Sequence, residues 1–501
     1  MDDFIFGESS LSGNATSEEV EALRKALLAP ESVSDLYATA GGALTEQSLE
    51  GMLASLTLNE NDFTYWKDVY KMKAFSTVEE YPRQIGLGIS DGGFVGQMES
   101  PEYADPDYDK QIAIVKYMSE AWQTGDVTMA TRRIGGNPKV EDQQSAILRL
   151  LRNLNLRFYN GDSTMVPEEI DGLAKTISGQ STDNVRDLRG TSVSQSVFNL
   201  IAQLIEENNG NPDGAKIYMS PAGRQNVHEI IAGTRANTIQ NFYSNSGDPN
   251  LTIGGSIGSI ETPFGKFICR SDKLLGLAYE SRGVPLIYNK GTGVFDEGAT
   301  SSKAPSIPAV TATAVAATVT GSLFASTTAR PSGTILRYRV VARNKWGRSL
   351  PSTIAVTGGV VAAAGAVDVL ITPNVADSGA KLPTCFEILA EKEYLDGKFR
   401  LLTTVAAAAT PLTAVTYRDL NLFIPGTARM FVVDQTTTGR NKVTAFSQLL
   451  PIHNTDLAKM GKYLHGLINL YGIPKYYKPN VLVEIRNVNV DQNAINSFNM
   501  V

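Results

Sequence analysis

Four carboxylates close together in one polar stretch are the first residues in the chain whose types and spacing suggest chemistry. They are Asp162, Glu168, Glu169 and Asp171. Neighbouring carboxylates can act as a general acid and a general base when their surroundings shift their pKa values. The sequence shows no partner or base beside them that would produce such shifts. An acidic, solvated turn explains the cluster more simply, so we assign no catalytic residue.

The string from Gly254 to Gly258 matches the G-x-S-x-G pattern of serine hydrolases. In those enzymes the serine lies on a sharp turn between a strand and a helix. Here the next residues, SIETPFGKFIC, contain a proline and predict a strand instead. We interpret the match as a chance glycine-rich turn. The phosphate-binding patterns G-x-G-x-x-G and G-x-x-x-x-G-K-[ST] do not occur in the sequence.

The cysteines and histidines do not form a recognisable metal or disulfide pattern. Cys269 and Cys385 are far apart in sequence, which provides neither a disulfide framework nor zinc-ligand spacing. His228, His453 and His465 do not lie within ligand spacing of one another. The sequence therefore predicts no metal and no cofactor.

The charge of the chain is unevenly distributed. The 501 residues carry a net charge of -7, which gives no general attraction to nucleic acid. Residues 1–60 contain eleven acidic and two basic residues, a net charge of -9, so the remainder is +2. The N-terminus has no basic region typical of a signal peptide, and no apolar run reaches 18 residues. We expect an acidic arm on a nearly neutral body and no membrane partner.

The rest of the chain is organised around a long predicted helix from Asn137 to Gly161. Asn137 can cap it, and Pro138 suits its first turn because proline has no N–H to leave unpaired. A single apolar stripe follows at helical spacing. Its members are Ile147, Leu150, Leu151, Leu154 and Phe158.

An alternation of helix and strand follows this long helix. A helix at 191–208 ends at NNGNPDG, Lys216–Ser220 predicts a short buried strand, and Pro221–Ile231 begins another helix. The next stretch, ETPFGKFICRSDKLL, predicts more strand. These elements indicate an α+β or α/β domain of about 150 residues, a common domain size.

Residues 80–130 predict a long two-stranded excursion. A glycine-rich stretch leads to the tip SPEYADPDYD, and QIAIVKYMSEAW then alternates as a strand that we expect to continue through Gly125–Arg132. Two-stranded ribbons are only marginally stable alone in water. We therefore expect this ribbon to lie on a neighbouring subunit, and a hairpin packed on its own domain is the alternative.

The two ends of the chain and the 304–430 segment have their own character. Thr16 to Glu19 forms a capping box in the N-terminal arm, and Thr45–Leu58 predicts a second helix. Residues 304–430 predict short strands with regular turns and no helices, which is typical of a small β-sandwich. Near the C-terminus, Thr455–Leu470 has the apolar spacing of an amphipathic helix, and VLVEIRNVNV predicts a strand.

The order of these elements resembles that of the major capsid protein of tailed bacteriophages. The resemblance rests on the acidic arm, the ribbon, the spine helix ending in NGD, PEEIDGL, the helix–NPDG–strand–helix unit and FGKFICRSDKLL. It covers residues 60–300 and 440–501. The 304–430 segment is similar to a fibronectin type III or Ig-like module, through LRYRVVARNKWGRSLPS and TCFEILAEKEYLDGKFRLLTTV. Its tyrosine-bearing strand comes early, which departs from the usual order.

The resemblance implies an α+β capsid fold with an inserted all-β Ig-like sandwich. Its expected parts are an N-terminal arm at 1–60, a peripheral domain at 61–185 and 440–501 with the spine helix (137–161) and the extended loop (80–130), an axial domain at 186–303, and the sandwich at 304–439. Expected contacts between subunits at the loop tip are Tyr103, Asp105, Asp107, Tyr108 and Lys110.

The implied function is structural rather than enzymatic. Copies of the chain would form hexamers and pentamers, and these would close an icosahedral virion shell around double-stranded DNA, with the sandwich facing outward. Scaffold, portal and other head proteins would be its partners, and assembly would take place in the host cytoplasm. A near-neutral or acidic chain suits a container that must not grip its genome, because cationic contacts bind DNA nonspecifically.

Three other functions are consistent with parts of the sequence. An encapsulin-type compartment would use the same fold around a protein cargo. A surface adhesin would bind a glycan or a protein through the sandwich, although no signal peptide supports this. An enzyme would use the Asp162–Asp171 carboxylates.

Overall fold

A computed structural model describes most of the chain between Glu60 and Val490. The described ranges are 60–88, 94–100, 103–131, 137–235, 258–289, 291–325, 330–374, 381–393, 395–437, 442–459 and 461–490. They fall within one unit that comprises 56–131 and 137–501. The expected arm at 1–60, its capping box and the helix expected at Thr45–Leu58 lie outside the described residues, except for Glu60.

Short helices accompany one long helix in the described ranges. The α-helices there are α1 (Thr64–Asp68), α2 (Asp126–Ala130), α3 (Pro138–Asn160), α4 (Leu173–Ser178), α5 (Gln195–Glu207), α6 (Pro221–Arg235) and α7 (Lys273–Ala278). Single 3-10 turns occupy Glu60–Asp62, Thr182–Asn184 and Pro479–Val481.

Helix α3 is the spine helix, and the structure confirms its predicted ends. The side chain of Asn137 accepts a hydrogen bond from the Lys139 N–H at 3.0 Å. At the other end, Gly161 donates its N–H to the Arg157 carbonyl at 2.9 Å. Leu150, Leu154 and Phe158 are fully buried, so the predicted apolar stripe faces the core.

A four-stranded sheet packs against the spine helix. Its strands are, in order, β1 (Lys71–Lys73), β19 (Thr444–Asp456), β20 (Tyr463–Tyr476) and β4 (Lys116–Gly125). Strand β1 runs parallel to β19, and the other neighbours are antiparallel. Phe158 of α3 meets Phe446 of β19 edge to face, with ring centroids 5.4 Å apart. Helix and sheet therefore share one aromatic core.

A six-stranded sheet forms the second layer. Its strands are, in order, β5 (Val185–Asp187), β21 (Val483–Val488), β18 (Ala428–Val433), β6 (Lys216–Met219), β8 (Gly265–Ser271) and β7 (Ser259–Thr262). Phe198, Ile201 and Ile205 of α5 are buried in the core of this sheet. Strand β6 and helix α6 confirm the predicted strand and helix on either side of Ser220.

Two further sheets, formed by 309–419, share a separate apolar core. One contains β11 (Ala309–Val315), β14 (Ala366–Thr372) and β17 (Val415–Asp419); the other contains β13 (Ala355–Val356), β12 (Arg337–Arg343), β15 (Cys385–Ala390) and β16 (Arg400–Ala406). Leu336, Tyr338, Val340 and Ala342 face this core, as their alternation predicts. We call residues 309–419 the sandwich.

Two hairpin-like pairs complete the described strands. The first, which we call the ribbon, pairs β2 (Val78–Gln84) with β3 (Tyr108–Ile114) in antiparallel register. The second pairs β9 (Leu286–Asn289) with β10 (Val294–Glu297). The expected two-stranded excursion is therefore shorter than 80–130, because β4 leaves it and joins the four-stranded sheet.

The sequence predicted an amphipathic helix at Thr455–Leu470, and this prediction is wrong. This range contains the end of β19, a turn and the first half of β20. On β20, Gly466, Ile468 and Leu470 are buried at intervals of two residues, which fits the period of a strand. A Cβ at Gly466 would lie 2.6 Å from the Trp122 ring of β4, so close strand packing requires glycine there. The pairing with β4 and β19 overrides the local helical spacing.

Two other predictions are corrected by the sheets. The strand expected to continue through Gly125–Arg132 instead becomes helix α2, because β4 pairs with β20 only as far as Gly125. Strand β18 lies in the range 304–439 that we expected to be sandwich, yet it pairs with β6 and β21 in the six-stranded sheet. Strand β21, from the expected peripheral range 440–501, joins the same sheet. Long-range pairing, which has no local pattern, decides both outcomes.

Candidate assembly surfaces

The ribbon presents one face to solvent. Its register places Val78 opposite Ile114, Glu80 opposite Ile112, and Gln84 opposite Tyr108. Residues directly opposite each other in an antiparallel pair lie on the same face. Ile112 and Ile114 are 61% and 58% exposed and Tyr108 is 68% exposed, so apolar side chains are open to solvent along this face. We call it the outer ribbon face.

The opposite face of the ribbon is attached to the body. Lys475 of β20 forms a 2.7 Å ion pair with Glu79, and both side chains are largely buried. The rings of Tyr81 and Tyr477 lie 5.0 Å apart. Ala113 is buried against the same side. These contacts fix the direction in which the ribbon leaves the body.

The five predicted contact residues lie at and beside the start of β3. Tyr103, Asp105 and Asp107 are exposed in the segment before the strand. Tyr108 and Lys110 lie on the outer ribbon face, where Lys110 forms an ion pair with Glu80 across the strands. The structure therefore brings these five residues to one end of the ribbon.

Several apolar residues near that end were not among the predicted contacts. They are Ile85, Leu87, Phe94 and Met98, whose exposed fractions range from 70% to 102%. Large apolar side chains inside a glycine-rich polar stretch are the pattern that would have indicated them.

The carboxylate cluster after the spine helix forms ion pairs. Lys175 lies 2.9 Å from Asp162 and 2.8 Å from Asp171. Burial by itself raises the pKa of both carboxyl groups, but hydrogen bonds from Thr164 to Asp162 and from Lys175 to both outweigh it and lower each pKa. Glu168 pairs with Lys345 of the sandwich at 2.8 Å. Carboxylates held ionised in this way stabilise the turn and are poorly suited to proton transfer.

Glu169 belongs to a group of charged side chains where the sandwich meets the body. We call this group the junction cluster, and it consists of Arg157, Glu169, Arg282, Arg343, Arg348 and Glu387. Glu169 pairs with Arg157 of α3 at 3.1 Å and with Arg343 of β12. Glu387 of β15 pairs with Arg282 and, at 2.9 Å, with Arg348.

Both glutamates of the junction cluster are ionised. Burial alone raises the pKa of Glu387, but the charges of Arg282 and Arg348 hold that pKa far below its usual range. In the same way Arg157 and Arg343 outweigh burial and lower the pKa of Glu169. The cluster is therefore a buried ionic contact between spine helix and sandwich.

The other residues considered for chemistry do not form a reactive group in the described structure. Residues 254–257 of the G-x-S-x-G string lie outside the described residues, and the chain continues from Gly258 into strand β7 rather than a helix. Cys269 and Cys385 are buried free thiols, and burial raises the pKa of each to about 11.

Within the described ranges, no three His, Cys, Asp or Glu side chains come together to hold a metal ion. No helix in that part of the chain has the length and apolar composition needed to cross a membrane.

The chain is similar in sequence to phage major capsid proteins and can be aligned with several solved structures. The chain is 23% identical over 473 residues to the major capsid protein of Staphylococcus phage S25-3, covering 89% of this chain and 90% of that protein. A solved structure from Mycobacterium phage Adephagia aligns with a TM-score of 0.41 at 8% identity, covering 90% and 92% of the two chains. The holo-SrpI encapsulin complex of Synechococcus elongatus PCC 7942 aligns with a TM-score of 0.39 at 7% identity, covering 93% and 98%.

The model of the SU10 major capsid protein family matches residues 9–276, more than half of the chain. That family consists of structural proteins and is not a class of enzymes. The chain belongs to the SU10 major capsid protein family and forms the capsid shell of a phage.

Proposed function

We propose that the chain assembles into hexamers and pentamers of an icosahedral shell around double-stranded DNA, and that the ribbon lies over the neighbouring subunit. Assembly takes place in the host cytoplasm with scaffold and portal proteins as partners. Family membership favours this function over an encapsulin-type compartment, an adhesin or an enzyme.

The outer ribbon face is the observation that carries this proposal. A ribbon of two strands gains little stability by itself. Here one face is attached to the body through Glu79 and Lys475, while the other leaves Ile112 and Ile114 in water. Burying an aliphatic side chain fully against a partner is worth about 1.5–3 kcal/mol. Repeated at every contact of a closed shell, such burial drives assembly.

The experiment is electron microscopy of the purified protein, expressed alone and with any scaffold gene that neighbours its own. The wild type is expected to form closed shells, rings or tubes. The double variant Ile112→Asp/Ile114→Asp places charges on the outer ribbon face and is expected to remain unassembled while keeping its fold. Val360→Asp is the matched control, because Val360 is similarly exposed at 59% but lies in the sandwich. Normal shells from the double variant would refute the role of the ribbon.

We further propose that the sandwich is an Ig-like module displayed on the outer surface. The described residues of the sandwich form seven strands in two antiparallel sheets around one core, which supports this proposal because Ig-like domains have that architecture. A peptide epitope inserted after Gly397, an exposed turn position with a φ of 71°, provides the test. Antibody should label intact particles; labelling only after the particles are disrupted would contradict outward display.

A further inference from the structure

The junction cluster carries more positive than negative charge. Its four guanidinium groups face two carboxylates, which leaves a net charge of +2. The six side chains are 0% to 23% exposed. Taking charges out of water without an equal counter-charge is costly. Every arginine of the cluster has a partner, but the cluster as a whole lacks negative charge.

The surrounding side chains do not supply that charge. A cavity of about 730 Å³ is lined by Arg157, Glu169, Arg282, Arg343 and Arg348 of the cluster. Its other charged lining residues are the cations Lys116, Arg149, Arg152 and Lys345 and the carboxylates Glu120 and Glu168. These add more positive than negative charge. The cavity is therefore strongly basic around the buried cluster.

The size and chemistry of the cavity match a small anion. One water occupies roughly 30 Å³ in the liquid, so a cavity of 730 Å³ has room for a hydrated oxyanion. Guanidinium groups present paired N–H donors that match the oxygens of phosphate. Burial is the largest cause, and the positive charge of Arg343 the second largest, of the lowering of the Arg157 pKa to about 10. Burial also lowers the pKa of Arg348 to about 10, and Arg282 and Arg343 add to this effect.

We propose that this cavity binds a small free oxyanion of the phosphate class, which balances the charge of the junction cluster. The bound anion would draw together arginines from the spine helix and from the sandwich. A phosphate of duplex DNA has the same chemistry, but the recessed position of the guanidinium groups favours a small free ion over a phosphate on a rigid backbone. The lining residues of this cavity do not include the residues of the outer ribbon face, so the proposal does not rest on the role given to the ribbon.

Isothermal titration calorimetry of the full-length protein with inorganic phosphate, at constant ionic strength, is the test. The wild type should show saturable binding. Arg348→Gln should weaken the affinity at least tenfold. Arg418→Gln should leave it unchanged, because Arg418 is also a sandwich arginine paired with a carboxylate, Asp368, at 2.7 Å, but lies outside the cavity.

A second variant, which is expected to increase the phosphate affinity, keeps the test decisive if Arg348→Gln fails to fold. Glu168 lies at the rim with 53% of its side chain exposed, and Glu168→Gln removes a negative charge there. Its phosphate affinity should increase about threefold, since a nearby charge at the protein surface is worth less than 1 kcal/mol. No saturable phosphate binding by the wild type would overturn the proposal. So would unchanged affinity in both cavity variants, or displacement of phosphate by a duplex oligonucleotide.

Discussion

Arg343 of the sandwich forms an ion pair with Glu169 of the turn after the spine helix, although 174 residues separate them. Glu169 also pairs with Arg157 at 3.1 Å, so one carboxylate connects the spine helix and the sandwich. The Arg343 and Glu169 side chains are only 6% and 15% exposed. Buried ion pairs therefore connect the sandwich to the spine helix.

Removing the Glu169 charge should destabilise the protein strongly. Glu169→Gln leaves Arg157 and Arg343 with reduced compensation in a buried site, and breaking a buried pair costs about 3–5 kcal/mol. Urea unfolding measures the loss. Asp368→Asn is the control, because it breaks an ion pair with Arg418 that is more exposed and should cost at most about 1 kcal/mol. Equal effects of the two variants would contradict a buried junction.

Glu280 should make stability depend on pH near neutrality. It is 3% exposed, Ser220 donates a hydrogen bond to it, and burial raises its pKa to about 7. A carboxyl group whose pKa is higher in the folded state stabilises the fold fully below its ordinary value of 4.5. That stabilisation is lost as the pH rises through about 7 and amounts to about 3 kcal/mol.

Glu280→Gln isolates this contribution because glutamine stays neutral at every pH. The difference in unfolding free energy between wild type and variant, measured in urea from pH 4.5 to 8, should move in favour of the variant as the pH rises. A constant difference over this range would mean that Glu280 titrates normally.

The apolar stripe of the spine helix should carry much of the stability of the core. Leu154 is fully buried, and Leu154→Ala should lower the unfolding free energy by about 2–5 kcal/mol by leaving a cavity. Leu200 of α5 is 50% exposed, and the matched control Leu200→Ala should lower the unfolding free energy by less than about 1 kcal/mol. Urea unfolding measures both variants, and similar losses of unfolding free energy would show that the apolar stripe does not carry much of the stability of the core.

The Glu79–Lys475 pair should hold the ribbon on the body. Glu79→Gln removes the charge from a 2.7 Å ion pair and should increase amide hydrogen exchange across Val78–Gln84, detected by mass spectrometry. Glu80→Gln provides a neighbouring control, because Glu80 points to the outer ribbon face and forms an ion pair with the exposed Lys110 of the same ribbon. Faster exchange in the control alone would reverse the assignment of the two faces.

The sequence predicted elements that depend on local patterns. Helix α3 has its cap at Asn137 and its stop at Gly161, and β12 alternates toward its core through Tyr338 and Val340. Caps and periodicity involve residues within a few positions of each other, so the chain encodes them locally. The α+β class and the resemblance to capsid proteins followed from the order of such elements.

The sequence was less informative where strands pair with distant partners. Leu464 and Leu467 have helical spacing, yet they lie on β20 between β19 and β4. The sequence also placed β18 in the sandwich, because a short apolar strand has the same pattern in either sheet. Pairing energy between distant segments overrides local preference, and it leaves no local pattern to read.

The sequence by itself determined the spine helix, the strand alternation and the kind of protein this is. The tertiary structure alone decided which face of the ribbon is open and which charges meet at the junction. Glu169 and Glu387 come from segments more than 200 residues apart, and neither shows in sequence which arginines it will face. Ionic contacts between distant segments exist only once the backbone has brought their elements together, so the charge excess of the junction cluster is a property of the fold.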